Sequence, residues 1–421
     1  MTHRPAAARF IFITLFLDVL GLGLVVPILP ALVTEFVGGD ASLGAAWYGP
    51  IVASYALMQF IAAPFLGALS DRFGRRPVLL LALLGYGIDY IILGFAPTLT
   101  WLIIGRMLAG ITGASYTTAA AYLADISTPE TRAANFGLIG AAFGLGFIAG
   151  PALGGLLGEL GPRVPFFVAA ALVLLNVLYG VFVLPESLPV EKRRPLDVRD
   201  LNPFRAIGGL WRVAGLGGLI VTFVIAVMAQ RGLESLWVLH NEYRYGWGPL
   251  ENGGSLALVG LSAAIVQGGL IRRVVPRIGE RSAVLFGLLG AAVAQVIFGF
   301  APSGPWILIG IPFAALSGFA IPTLQGIVAG QVPDDQQGTV QGALTSVLAL
   351  VAVVAPLVST AVFTATTGDS AVELPGAVFF VHAGLYVVAA GVSVWALRVL
   401  QNSGRSNALQ VSDIPETEVQ Q

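Results

Sequence analysis

Apolar residues along this chain come in runs of about twenty, the length of a membrane-crossing helix, rather than in short alternating strand-like stretches. Six runs lie near 10–33, 46–69, 77–96, 99–122, 134–158 and 164–184. A charged, proline-punctuated stretch, 185–212, separates them from six more near 213–239, 251–271, 282–300, 304–328, 338–364 and 376–399. The pattern predicts an all-α membrane protein of twelve transmembrane helices in two pseudo-symmetric halves, 1–184 and 213–400. They are joined by the 185–212 linker and followed by a polar tail, 401–421, expected to be disordered. The first run carries Asp18 and two prolines and lacks a small-residue cleavage site, so it reads as a retained helix.

Composition supports the bilayer as solvent. Only 11% of residues are charged and 56% are hydrophobic, against about 25% charged in soluble domains. A net charge of −1 offers no basic field for nucleic acid. The absence of cysteine excludes disulfides and thiol chemistry. The three histidines, His3, His240 and His382, have no metal-ligand spacing. No metal and no cofactor is expected beyond a proton gradient; the partners are a small-molecule substrate, protons and the lipid bilayer, and the chain is read as a monomer.

Of the 22 basic residues, 18 fall on the side of the N-terminus, only Arg163 and Arg244 on the other, and Arg106 and Arg231 inside helices. This asymmetry places both termini and the linker in the cytoplasm of an inner membrane. The halves also match at a constant shift of 205 residues: GFAP at Gly94–Pro97 recurs at Gly299–Pro302, Gly105 pairs with Gly310, and Pro151 with Pro356. Parallel six-helix repeats about an axis normal to the membrane place a substrate site between them at mid-depth, as in the major facilitator class. Under the same shift Asp89 falls on Ala294 and Arg106 on Ile311, so charge inside the membrane is concentrated in the first half.

Asp18 lies nine residues past Arg9 and Asp89 thirteen past Arg76, roughly 13 and 20 Å of helix, hence in the middle of a hydrocarbon layer of about 30 Å. Desolvation there favours the neutral form of a carboxyl, which lets it take and release protons; the alternative is a permanently neutral acid bridging two helices. Arg106, costly in hydrocarbon, is expected to face inward and find an anionic partner, or else to snorkel to the interface. Arg231 and Glu234 have the i,i+3 spacing of a pair on one face, either a gate element or a structural pair. Tyr55, Gln59, Gln230, Gln267, Gln295 and Gln325 are candidate cavity-lining groups for an amphipathic, drug-sized ligand, though each glutamine could equally bridge helices.

The loop Gly67-Ala-Leu-Ser-Asp71-Arg72-Phe-Gly74-Arg75-Arg76 resembles the signature loop between helices 2 and 3 of the major facilitator superfamily. There Gly67 is expected to let helices approach and Asp71 to meet a helix N-terminus. The resemblance implies a gating role for Asp71, Arg72, Arg75 and Arg76. The stretch Gly137-x8-Gly146-x3-Gly150-Pro151-x2-Gly154-Gly155 resembles the antiporter motif of the proton-driven exporters, which implies gating by Gly150 and Pro151. Phe16-Leu-Asp18-Val-Leu-Gly, Gly87-Ile-Asp89-Tyr90 and Trp237-Val-Leu followed by Asn241-Glu-Tyr-Arg-Tyr-Gly-Trp247 look like the tetracycline–proton antiporters. The resemblance implies proton coupling by Asp18, Asp89 and Arg106. It also has a departure: the functional histidine of helix 8 and aspartate of helix 9 in those antiporters fall here on Ala263 and Ala291. The expectation is a secondary transporter, not an enzyme, that exports amphipathic molecules in exchange for protons by alternating access. An uptake symporter or facilitator is the alternative, and a non-transporting receptor or membrane enzyme the remote one.

Overall fold

The computed structural model describes residues 4–113, 115–195, 216–332, 337–368 and 373–412. Twelve helical stretches follow the predicted order. The first half is α1 (Arg4–Val25, with a further piece Leu29–Phe36), α2 (Ala41–Phe73), α3 (Arg75–Phe95), α4 (Leu99–Thr112 and Ser115–Ile126), α5 (Pro129–Gly158) and α6 (Val164–Val183). The second half is α7 (Gly217–Tyr245), α8 (Pro249–Ile265, continuing to Ile278), α9 (Glu280–Phe300), α10 (Gly304–Ala315 and Ser317–Gly330), α11 (Gln337–Ala365) and α12 (Ala377–Ser412). Eleven are long and apolar enough to cross a membrane; the exception, α4, is described as two pieces either side of residue 114. α12 runs to Ser412, past residue 401 where the sequence pattern begins a disordered tail. Most of the linker, 196–212, and the last residues, 413–421, lie outside the described residues.

Local chemistry fixes the helix ends. α2 and α3, and α8 and α9, are separated by single glycines, Gly74 at φ +106° and Gly279 at φ +80°, a backbone region that side chains with a Cβ rarely enter. These glycines are 205 residues apart, so the repeat extends to conformation. It extends to packing as well. Phe95 meets Phe167 of α6 edge-on at 4.8 Å, and Phe300 meets Phe380 of α12 at 4.7 Å in the same manner. Arg163 closes the C-terminal end of α3, its guanidinium donating to the carbonyls of Gly94 and Ala96 at 3.0 Å each. A cation on exposed helix carbonyls is favourable, which gives one of the two basic residues on that side a structural reason.

The halves meet mainly through two helix pairs, α5 with α8 and α2 with α11, and only at one end. The contacts are made by glycines. A Cβ on Gly155 would lie 3.2 Å from the Cα of Gly253, and one on Gly260 would lie 3.1 Å from the carbonyl of Phe147. Gly49 abuts Thr360 and Pro356, and the Thr364 hydroxyl donates to the Ser42 carbonyl at 3.4 Å. A single apolar cluster runs through this end, joining Leu24, Leu32 and Tyr48 of the first half to Leu236, Trp237, Phe298 and Phe363 of the second. Towards the arginine-rich end the halves part. A Cβ on Gly137, Gly268, Gly269 or Gly342 would meet nothing within 4 Å, and the second half keeps a separate apolar cluster there around Phe223, Leu288 and Leu344. Among the described residues, contacts between the halves therefore gather at the end away from the arginines.

Candidate functional site

The charged residues of the membrane interior come together. Asp89, fully buried on α3, forms an ion pair with Arg106, 5% exposed on α4. Arg106 thus finds the anion its position requires and does not snorkel. Small residues make the approach possible: a Cβ on Gly105 would lie 2.8 Å from the Asp89 carboxylate. The guanidinium also lies 5.7 Å above the ring of Tyr55 on α2, a cation–π contact. The Tyr55 hydroxyl is 3.0 Å from that of Tyr86, and Gln59 donates to Tyr55 at 3.3 Å and to the Gly113 carbonyl at 3.1 Å. Asp18 faces this cluster from α1. Both its carboxylate oxygens are shut away from solvent, and its charge acts on Tyr55, Tyr86 and Tyr90.

Across the cavity, α7 contributes Arg231 and Glu234, bonded at 2.8 Å, with Gln230 donating to the same carboxylate at 3.2 Å. The i,i+3 pairing expected from sequence is thus present. Both members are nearly half-exposed, so the pair lines open space and is not a buried strut.

The remaining candidates divide. Gln267 is exposed and Gln325 half-buried, whereas Gln295 is 1% exposed inside the second half. Its helix packs only within that half, so Gln295 does not join the cavity set. Ala263 and Ala291, where the resemblance implies a histidine and an aspartate, are half-buried and buried respectively. Three residues past Ala263, α8 widens into a π-turn, Val266–Leu270, a feature frequent at functional sites; its sequence trace is the pair Gly268-Gly269. Beside the open end of α7 lies an apolar cleft of about 260 Å³. It is lined by Val224, Ile225 and Met228 of α7, Leu350, Val351 and Val354 of α11, and Leu385 of α12.

The loop after α2 departs from expectation in two ways. The carboxylate at the N-terminus of α3 belongs to Glu186, which accepts from the backbone N–H groups of Arg75 at 2.8 Å and Arg76 at 3.2 Å. Asp71 instead pairs with the Arg75 side chain, which also binds Asp125 at 3.2 Å. The reason is the fold of Gly74: the sharp turn aims the first N–H groups of α3 at the chain leaving α6, not back along α2. The second departure is Gly67, which approaches no helix in this state. Arg76 donates to the Val181 carbonyl, and Arg72 is exposed against its neighbour Phe73. All these bonds stay inside the first half and the start of the linker.

The glycine stripe of α5 is shared between two partners. Gly146, Gly150 and Gly154, at four-residue spacing, lie on Val19, Gly23 and Leu24 of α1, and Pro151 packs on Gly23. Gly155 faces the other half at Gly253. The stripe thereby carries α1, and with it Asp18, on the helix that forms the seam between halves. Sequence reasoning missed Tyr48, Tyr86, Tyr90, Glu186 and Asp125. A signal existed for two of them, since Tyr86 and Tyr90 stand one helical turn apart on either side of Asp89.

Against known proteins, a family model described as Major Facilitator Superfamily matches residues 11–356. The class C tetracycline resistance protein of Escherichia coli is 43% identical, covering 89% of this chain and 93% of its own. The class E tetracycline resistance protein of Escherichia coli is 38% identical over 90% of this chain and 92% of its own. Among solved structures, the human organic anion transporter MFSD10 (TETRAN) superposes with a TM-score of 0.69 at 27% identity, covering 93% of this chain and 100% of that one.

Proposed function

The chain belongs to the major facilitator superfamily, and from that premise we propose that it is a multi-pass inner-membrane exporter of amphipathic small molecules, driven by protons through alternating access. Relatives named for tetracycline resistance over nine-tenths of the chain support the class of cargo and the direction. The positive-inside asymmetry supports cytoplasmic termini. The open end is then cytoplasmic, and the structure is an inward-open state with its periplasmic seam closed.

The observation that carries the coupling is the buried Asp89–Arg106 pair under Tyr55. A carboxyl that gains a proton can still accept a hydrogen bond from a guanidinium but no longer offsets its charge. Protonation of Asp89 therefore loosens the guanidinium, so proton binding and a change of charge at the Tyr55 wall are one event. Asp18, its carboxylate shut from solvent beside the same tyrosines, is the second carrier. Substrate in the cavity meets Tyr55, Gln59 and, from the other half, the exposed Arg231–Glu234 pair, while its apolar body has the cleft along α7. In outline, periplasmic protons neutralise the first-half carboxyls and displace cargo outward. The deprotonated site then draws cargo from the cytoplasm.

Tetracycline is the natural probe. Purified protein in liposomes with an internal pH dye is expected to move protons against tetracycline. Tetracycline flux with no proton movement under any gradient would refute coupling, and no flux of tetracycline or other amphipathic drugs would refute the cargo class.

A further inference from the structure

The second half lacks the helix 8 and helix 9 coupling residues of its relatives, yet α7 carries a carboxylate that the proposed cycle does not use. Glu242 lies eight residues beyond Glu234, about 12 Å further along α7 towards the closed end. It is half-buried, and among the described residues its carboxylate forms no salt bridge. Tyr48 of α2, 6% exposed, belongs to the apolar cluster that closes this end.

Among the described residues, no cation of the helices packed on α7 is ion-paired with Glu242. α10 and α11, packed against α7, contain no titratable residue within Gly304–Gly330 or Gln337–Ala365. The Leu29–Phe36 piece of α1 brings Glu35, which is exposed; α12 brings His382, bonded to Ser359 at 3.0 Å, and Tyr386. On α7 itself Arg244 is exposed, and Tyr243 donates to Glu373 at 2.9 Å and accepts from the Gly368 N–H at 3.2 Å. Closing the seam thus buries this carboxylate in part, without a salt bridge among the described residues, which an ionised group resists.

We propose that Glu242 is a further proton-binding site, at the periplasmic seam, and that it must bind one proton from external water before the halves close over it. The carboxylate takes that proton when the seam is open and returns it when the seam reopens to a more alkaline exterior. The proposal rests on the export reading for its direction but is tested separately from it.

The cysteine-free chain allows spin labels at Ser42→Cys and Thr364→Cys, which face each other across the seam, with distances followed in lipid nanodiscs from acid to mildly alkaline pH. The labels are expected to stay close at acid pH and to separate as pH rises. Glu242→Gln is expected to lose the alkaline separation and Glu242→Asp to keep it; Glu242→Leu gives the same reading if the Gln variant does not insert. A Gln or Leu variant that opens with the wild-type pH profile, or a wild-type seam that ignores pH, overturns the proposal. Failure of the export reading would instead appear as absent tetracycline–proton exchange in the wild type, which these distances do not measure.

Discussion

The Asp89–Arg106 pair can be tested with the molecule's own second half as the control. At the places 205 residues on, Ala294 and Ile311 are fully buried and apolar, so the same helix crossing is built without charge. Asp89→Ala strands a guanidinium that is 5% exposed. Removing one partner of a buried pair costs about 3–5 kcal/mol, or roughly a hundred- to several-thousand-fold in the folding equilibrium. The Tyr55 ring beneath the guanidinium holds the loss towards the lower figure. Arg106→Ile should cost less, because a stranded carboxyl can shed its charge by binding a proton and a guanidinium cannot; its penalty should shrink further at acid pH. The double variant Asp89→Ala/Arg106→Ile copies the second half and should recover to within about 1–2 kcal/mol of wild type, since apolar replacements of buried pairs are often near neutral. Reversible unfolding of the four proteins in mixed micelles gives the cycle. Losses that simply add, with a double variant weaker than either single, would refute the claim that pairing holds these charges in place.

Other consequences are as direct. Tyr55→Phe removes the contacts with Tyr86 and Gln59 and, at about 0.5–1.5 kcal/mol for a neutral hydrogen bond, should raise the half-saturating tetracycline concentration roughly two- to tenfold in liposome flux. Gly155→Leu places a side chain against Gly253 and Pro249, so a cysteine at position 42 should react faster with an impermeant maleimide from outside; unchanged labelling would mean the seam closes elsewhere. Glu186→Ala removes the acceptor of the Arg75 and Arg76 N–H groups and should lower the unfolding free energy by about 1 kcal/mol, the typical worth of a helix cap, with little effect on tetracycline affinity. A loss above about 3 kcal/mol would show that the residue does more than cap.

The chain announces its architecture openly because the bilayer imposes one rule, that each crossing be a long apolar helix. The twelve runs follow from that rule, and the 205-residue repeat shows separately that they fall into two like halves. The need of Arg106 for an anion also follows from the bilayer, although only the fold names Asp89 as that anion. The Arg231–Glu234 pair is legible because it is local to one helix. What escaped is what depends on tertiary aim. Glu186 reaches the α3 N-terminus because Gly74 turns the chain, and no spacing within the loop encodes that. Gln295 has the same composition signal as Gln267, yet one is sealed inside a half and the other faces open space. Tyr48 and Glu242, nearly two hundred residues apart, matter only because the halves close there.

The central claim is that cargo and protons exchange at the first-half carboxyls. It is tested most directly by tetracycline-induced proton movement in proteoliposomes of wild type, Asp18→Asn and Asp89→Asn. The account predicts counter-movement in the wild type, with each variant losing it while still exchanging tetracycline for tetracycline across the membrane. If both variants move protons against tetracycline as the wild type does, the coupling assigned to these carboxyls is contradicted.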